Sequence, residues 1–178
     1  TTISDIEPVY YEPTIAEQEI INNKVEYQYI IDIETAKNEI EGLQESVALD
    51  LETTGLDPIS YQIRLLSLHD GNKTLIIDLF KTGSVHTLEQ SLKQKKLVGH
   101  NSIFDMQFLK QAGVEVLMDC TMIGHHVLTG EQKSLKDLAK TYLEVEMSKE
   151  EQISDWGKDV LSDAQLQYAA LDVVRTFE

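Results

Sequence analysis

Cys120 is the only cysteine among the 178 residues. An internal disulfide and a multi-cysteine zinc site are therefore excluded, and a reducing, cytoplasmic setting is expected. Long apolar runs are missing as well. None approaches the roughly 18 residues of a membrane span, and no signal-peptide pattern is present. Basic residues are scarce, with 15 Lys and Arg against 31 Asp and Glu and a formal charge of −16. Nucleic-acid phosphates are ordinarily met by Lys and Arg, so such a surface argues against a simple nucleic-acid-binding module. Bound divalent ions or a basic neighbouring domain would offset part of that charge. Two small basic clusters, Lys93, Lys95, Lys96 and Lys133, Lys136, Lys140, read as solvated helix faces. Internal repeats and low-complexity tracts are also lacking.

What remains is a chain about one domain long, by the usual 100–200 residues per domain. It begins with Thr rather than Met, consistent with a processed or trimmed start. Residues 1–26 carry Pro8 and Pro13 without clear periodicity and read as a linker or irregular lead-in, and 27–178 as one domain. Tyr29–Ile31 is a short strand candidate, and Thr35–Leu43 a helix with Thr35 as its N-cap. Val47–Glu52, Ile63–His69 and Thr74–Leu79 read as three strands, separated by Gly55 with Pro58 and by Asp70-Gly71-Asn72, which predicts an antiparallel meander.

A helix over 85–94, a strand at Leu97–Gly99, and a helix over Phe104–Ala112 stopped by Gly113 follow. Val116–Met118 is a last short strand, and the remainder reads as helical. Ser134 and Ser162 are placed as N-caps with capping-box partners Asp137 and Gln165. The sum is a mixed α/β sheet flanked by helices.

The chemistry-bearing residues lie on three of these elements. Asp50 and Glu52 are two apart on a strand, so they project from one face while Leu49 and Leu51 take the other. Converging carboxylates repel unless a cation sits between them, and Mg²⁺ or Mn²⁺ suits hard oxygen ligands. Asp105 falls near a helix start, where the dipole favours an anion. Tyr168 and Asp172 are four apart on a helix and share a face. Ala169 and Ala170 keep that helix thin enough to approach a sheet closely. His125 and His126, adjacent on a helix, point apart and make a poor zinc pair, and His69, His86 and His100 read as structural. Trp156 reads as an anchor tying a loop to the core.

Asp50-x-Glu52, then Asn101-x-x-Phe104-Asp105, then Tyr168-x-x-x-Asp172 resembles the three-motif pattern of the DEDD 3′–5′ exonucleases. Gly55-Leu56-Asp57-Pro58, Arg64-Leu65-Leu66 and Ser154-Asp155-Trp156 extend the likeness over 27–178. The histidine subclass would carry His where Gln167 stands, so the chain resembles the tyrosine subclass. The resemblance implies a ribonuclease H-like fold and two divalent ions, Mg²⁺ or Mn²⁺, held by Asp50, Glu52, Asp105 and Asp172. Asp50 would bridge both ions, Glu52 and Asp172 would complete one site, and Asp105 would serve the other largely through waters. Tyr168 would orient the attacking water with help from Glu52. Thr53, Thr54 and Leu56, with Asn101 and Phe104, resemble contacts to the 3′-terminal nucleotide.

The first motif is most similar to proofreading domains of family A DNA polymerases. The implied substrate is the 3′ end of single-stranded DNA, and the implied partner a linked or associated polymerase, nucleoid-associated in a bacterium. Glu178 follows Asp172 by only six residues, so a C-terminal truncation of the domain is expected. Ser154-Asp155-Trp156 and Tyr168-Ala169-Ala170-Leu171-Asp172 resemble ribonuclease D equally well, which keeps RNA 3′-end trimming as an alternative. A catalytically silent scaffold is a third reading, supported by the acidic surface.

Overall fold

The computed structural model describes residues 24–147 and 154–178, so most of the predicted lead-in lies outside the described residues. Six strands form one mixed sheet: β1 (Gln28–Ile30), β2 (Ser46–Thr53), β3 (Ile63–His69), β4 (Thr74–Asp78), β5 (Lys96–Gly99) and β6 (Met118–Cys120). Their order across the sheet is β1-β4-β3-β2-β5-β6. β3 runs antiparallel to β2 and β4, and the pairs β1/β4, β2/β5 and β5/β6 are parallel. The predicted meander is therefore present, with parallel strands added on either side of it.

The central strands β3 and β4 divide their side chains between two cores, while β2 gives one face to the first core and carries Asp50 and Glu52 on the other. Val47, Leu49, Leu51, Leu66, Leu68, Leu75 and Ile77 face one core, shared with α1 (Ile33–Glu41) and α4 (Ile103–Gln111) through Ala36, Ile40, Phe108 and Leu109. Leu65 and Ile76 face the other, against Ala169 and Ala170 of α7 (Asp163–Phe177) and the rings of Trp156 and Tyr168. Both alanines are fully buried, so the thin face of α7 does lie against the sheet. Burying a large aliphatic side chain contributes about 1.5–3 kcal/mol, and β3, buried along its whole length, collects this from both faces.

Several boundaries shift for local reasons. α1 begins two residues before Thr35, because Asp32 is its N-cap and accepts from the Thr35 N–H at 2.8 Å. β4 stops at Asp78, whose carboxylate accepts from the Phe80 N–H and caps α2 (Leu79–Thr82). The stretch 85–94 divides into a 3₁₀ turn (Val85–Leu88) and α3 (Glu89–Lys93). α4 ends at Gln111, with Gly113 just beyond it at φ +83°, the left-handed conformation that glycine adopts without strain. The last strand is Met118–Cys120 rather than 116–118, since it is Met118 that stands in register with Leu97. α5 (Thr121–Thr129), α6 (Leu135–Leu138), a π-turn at Ala139–Leu143 and α7 complete the chain. Ser162 and Gln165 form the full reciprocal capping box, whereas Asp137 meets the Ser134 hydroxyl at 2.6 Å. Among the described residues no helix is long and apolar enough to cross a membrane.

Candidate active site

Asp50 pairs with Ser67 and Glu52 with Leu65 across β2 and β3, and the register slips between Glu52 and Thr53. A bulge at this point turns the strand end and fixes where the second carboxylate aims. α7 crosses the same face, so Asp172 arrives opposite the pair. One carboxylate oxygen each from Asp50, Glu52 and Asp172 lies within 4.8 Å of the others. Asp105, 3% exposed in the first turn of α4, accepts the Leu51 N–H at 3.2 Å from its position between the two strand acids.

Electrostatics follow from that crowding. Burial, then the charges of Asp105, Glu52 and Asp172, push the Asp50 carboxyl well above the usual range. Burial, then Asp172 and Asp105, do the same to Glu52. Asp105 is raised to about 7 by burial, against backbone N–H donors that pull it down. Asp172 is raised to about 6 by burial, opposed by a hydrogen bond from Tyr168. Burial, then the Asp172 charge, lift the Tyr168 hydroxyl above its ordinary value, which keeps it protonated and a donor. None of the four acids has an ion-pair partner among the described residues. Several hard oxygens converge on one point with their mutual repulsion uncompensated, and that donor set fits a divalent cation.

All four acids and Tyr168 line one cleft of about 470 Å³. Asn101 and Phe104 line it too, Asn101 in the left-handed region at φ 58° and Phe104 packed 4.9 Å from the Phe108 ring. Thr53, Thr54 and Leu56 do not line the cleft formed by the described residues. Thr53 donates to the Gly55 carbonyl at 2.7 Å and Thr54 bonds Gln62 across the turn, while Leu56 is 83% exposed. The remaining walls include residues that carry no site signal in sequence: His100, Met122, Gln132, Leu135, Lys136 and Met147.

The other candidates have structural partners. His125 is buried against Tyr142 while its neighbour His126 is exposed, so they do not converge. His69, His86 and His100 bond Thr74, the Gly113 carbonyl and Thr121. Trp156 is 4% exposed, its ring 6.5 Å from that of Tyr168, so it anchors the 154–161 segment rather than offering a face for a base. Of the basic clusters, Lys93 and Lys96 pair with Glu89 and Glu45, and Lys95 bonds the carbonyls of Glu41 and Leu43. Arg64, part of the family-like Arg64-Leu65-Leu66 segment, is fully buried. It pairs with the equally buried Asp78 at 2.9 Å and donates to the carbonyls of Lys158 and Asp159, holding the chain that leads into α7.

A family model described as 3′–5′ exonuclease matches residues 27–178. The chain is 37% identical over 154 residues to DNA polymerase I of Aquifex aeolicus, covering 84% of this chain and 26% of that protein. It is 29% identical over 135 residues to ribonuclease D of Haemophilus influenzae, covering 73% of this chain and 34% of that one. The chain thus spans about a quarter to a third of the relatives it matches. Among solved structures, ribonuclease D of Escherichia coli superposes with a TM-score of 0.75 at 22% identity, covering 85% of this chain and 42% of that one. This likeness agrees with the ribonuclease H-like exonuclease fold expected from the sequence.

Proposed function

Because this chain belongs to the 3′–5′ exonuclease family, we propose that its acidic cleft removes nucleotides from the 3′ end of single-stranded DNA, as a proofreading domain linked to or associated with a family A polymerase. The observation that carries the hydrolytic part is the convergence of Asp50, Glu52 and Asp172 within 4.8 Å, beside the buried Asp105. The choice of DNA rests on the likeness to DNA polymerase I, which is stronger than that to ribonuclease D in both identity and extent. Residues 27–178 are taken as the exonuclease domain and 1–26 as its lead-in. A DNA substrate and the lone cysteine favour the cytoplasm, with the nucleoid as the working place in a bacterium.

Asp50, Glu52, Asp105 and Asp172 would hold two Mg²⁺ or Mn²⁺ ions. Such ions, when bound, supply a nucleophile at neutral pH and offset negative charge on the phosphate oxygens. The residues' own parts follow from their states. The Tyr168 hydroxyl, kept protonated, positions water by hydrogen bonding and does not abstract its proton. Phe104 and Asn101 form the wall on which the terminal nucleotide rests. Thr53, Thr54 and Leu56 would meet that nucleotide only from the turn beyond the bulge.

A second reading, RNA 3′-end trimming, is favoured by the match to ribonuclease D over 73% of the chain. The scaffold reading is left with the acidic surface alone. The deciding experiment offers 3′-labelled single-stranded DNA and RNA of one sequence with Mg²⁺, Mn²⁺ or EDTA, beside Asp50→Ala. Metal-dependent release from DNA in preference to RNA, lost in the variant, is expected. Preference for RNA would move the assignment to trimming, and release unaffected by Asp50→Ala would overturn the site.

A further inference from the structure

Among the described residues, the cleft that gathers the carboxylates also contains one lysine, Lys136. Its position is fixed by its neighbours. Ser134 caps α6, and Leu135 packs into a small core with Ala139, Met147 and Leu171, so α6 is pinned to the helix that carries Tyr168 and Asp172. Lys136 is only partly exposed and stands at the cleft wall. No ion pair or hydrogen bond within the described residues occupies its ammonium, although its charge, after that of Lys140, helps to lower the Glu146 carboxyl. Lys37, Lys73, Lys93, Lys96, Lys133 and Lys140 each pair with a glutamate and Lys95 bonds two carbonyls, while Lys24, Lys81, Lys110 and Lys158 lie outside the cleft.

On a chain of net charge −16, an unengaged cation facing an acidic cleft is suited to a polyanion that enters it. Lys acts on phosphate as a flexible point charge, without the rigid fork of Arg. We infer that Lys136 is a positioning residue that holds a phosphate of the incoming strand, other than the scissile one gathered at the carboxylates. This inference rests on the exonuclease reading and extends it to the handling of the strand. The contact is sequence-independent, so it sets grip and salt sensitivity without base preference.

The test measures binding of a fluorescein-labelled single-stranded oligodeoxynucleotide by anisotropy across a salt series. The parent, Lys136→Ala and Lys136→Arg are compared in Ca²⁺, which oxygen ligands accept. Lys136→Ala is expected to weaken binding several-fold and to flatten the slope of log affinity against log salt by about 0.7, the share of one single-strand phosphate contact. Lys136→Arg restores both. Unchanged affinity and slope in Lys136→Ala would overturn the inference, and so would weakened binding with an unchanged slope. Thymidine 5′-p-nitrophenyl phosphate, with a single phosphodiester, is given to the parent protein with Mn²⁺ in parallel. Its hydrolysis tests the carboxylate site alone, so failure there counts against the exonuclease reading independently of the salt series.

Discussion

The backbone N–H of Leu51 donates to Oδ1 of Asp105, joining positions 54 apart in the chain at 3.2 Å. The donor stands between Asp50 and Glu52, so one hydrogen bond sets the third acid against the first two. Asp105→Asn keeps the acceptor and removes a crowded charge. Asp105→Ala leaves a buried N–H without its partner, at a cost of about 1–3 kcal/mol. In metal-free urea unfolding, Asp105→Asn should be at least as stable as the parent, and Asp105→Ala should fall below Asp105→Asn by that margin. Equal stabilities for the two variants would mean that the bond holds nothing. Both should lose hydrolysis.

Acid residues with raised pKa values give the metal-free protein an unusual pH dependence. Unfolded aspartates titrate near 4, whereas Asp172 and Asp105 hold their protons to about 6 and 7 in the fold. The folded state therefore binds more protons within this window. The associated stability is present at the low end and is lost as pH rises through 6 to 7. Without metal, the thermal midpoint should be higher at pH 5 than at pH 8. Mn²⁺ should raise it most at pH 8, since binding to the folded state alone stabilises it. A metal-free midpoint that climbs toward pH 8 would contradict the crowded cluster.

Tyr168 gives the Asp172 carboxylate a hydrogen bond that lowers its pKa against the effect of burial. Tyr168→Phe should therefore raise the Asp172 pKa, moving the acid limb of kcat/KM toward higher pH, and should lower kcat while Mn²⁺ still binds at pH 8. A pH–rate profile beside a metal titration measures both. An unshifted acid limb with an unchanged rate would remove Tyr168 from the mechanism.

Asp78 is wholly buried, paired with Arg64, accepting from Tyr29 and capping α2. Removing it strands the guanidinium away from water. Breaking a buried pair from one side costs about 3–5 kcal/mol. Asp78→Ala should lose that much in urea unfolding, while a change under 1 kcal/mol would mean that Arg64 finds water or another acceptor. Arg64 also holds the carbonyls of Lys158 and Asp159, so this variant should loosen the approach to α7 as well.

Much of this was legible in the chain because it is local. Alternation along 47–52 put Asp50 and Glu52 on one face, and i,i+4 spacing did the same for Tyr168 and Asp172. Both hold, because strand and helix periods are properties of the backbone. The meander was readable from strands separated by turn residues. Boundaries slipped where a side chain competed for the backbone, as when Asp32 rather than Thr35 capped α1 and Asp78 closed β4. The Arg64–Asp78 pair was not legible, since the apolar neighbours that make 63–69 a strand do not say which acid, 14 residues on, meets the guanidinium.

By itself, then, the sequence determined the repeat along each element, the caps at Ser162 and Gly113, and the acidic residues whose spacing and order carry the family likeness. Tertiary packing alone fixes that β2, α4 and α7 bring four carboxylates to one cleft, three of them within 4.8 Å, that Thr53, Thr54 and Leu56 lie outside its lining, and that Lys136 stands within it. The division has one physical cause. Periodicity and capping act over a few residues of backbone, whereas convergence depends on strand order and helix packing, which bring positions more than a hundred residues apart into contact only when both cores close.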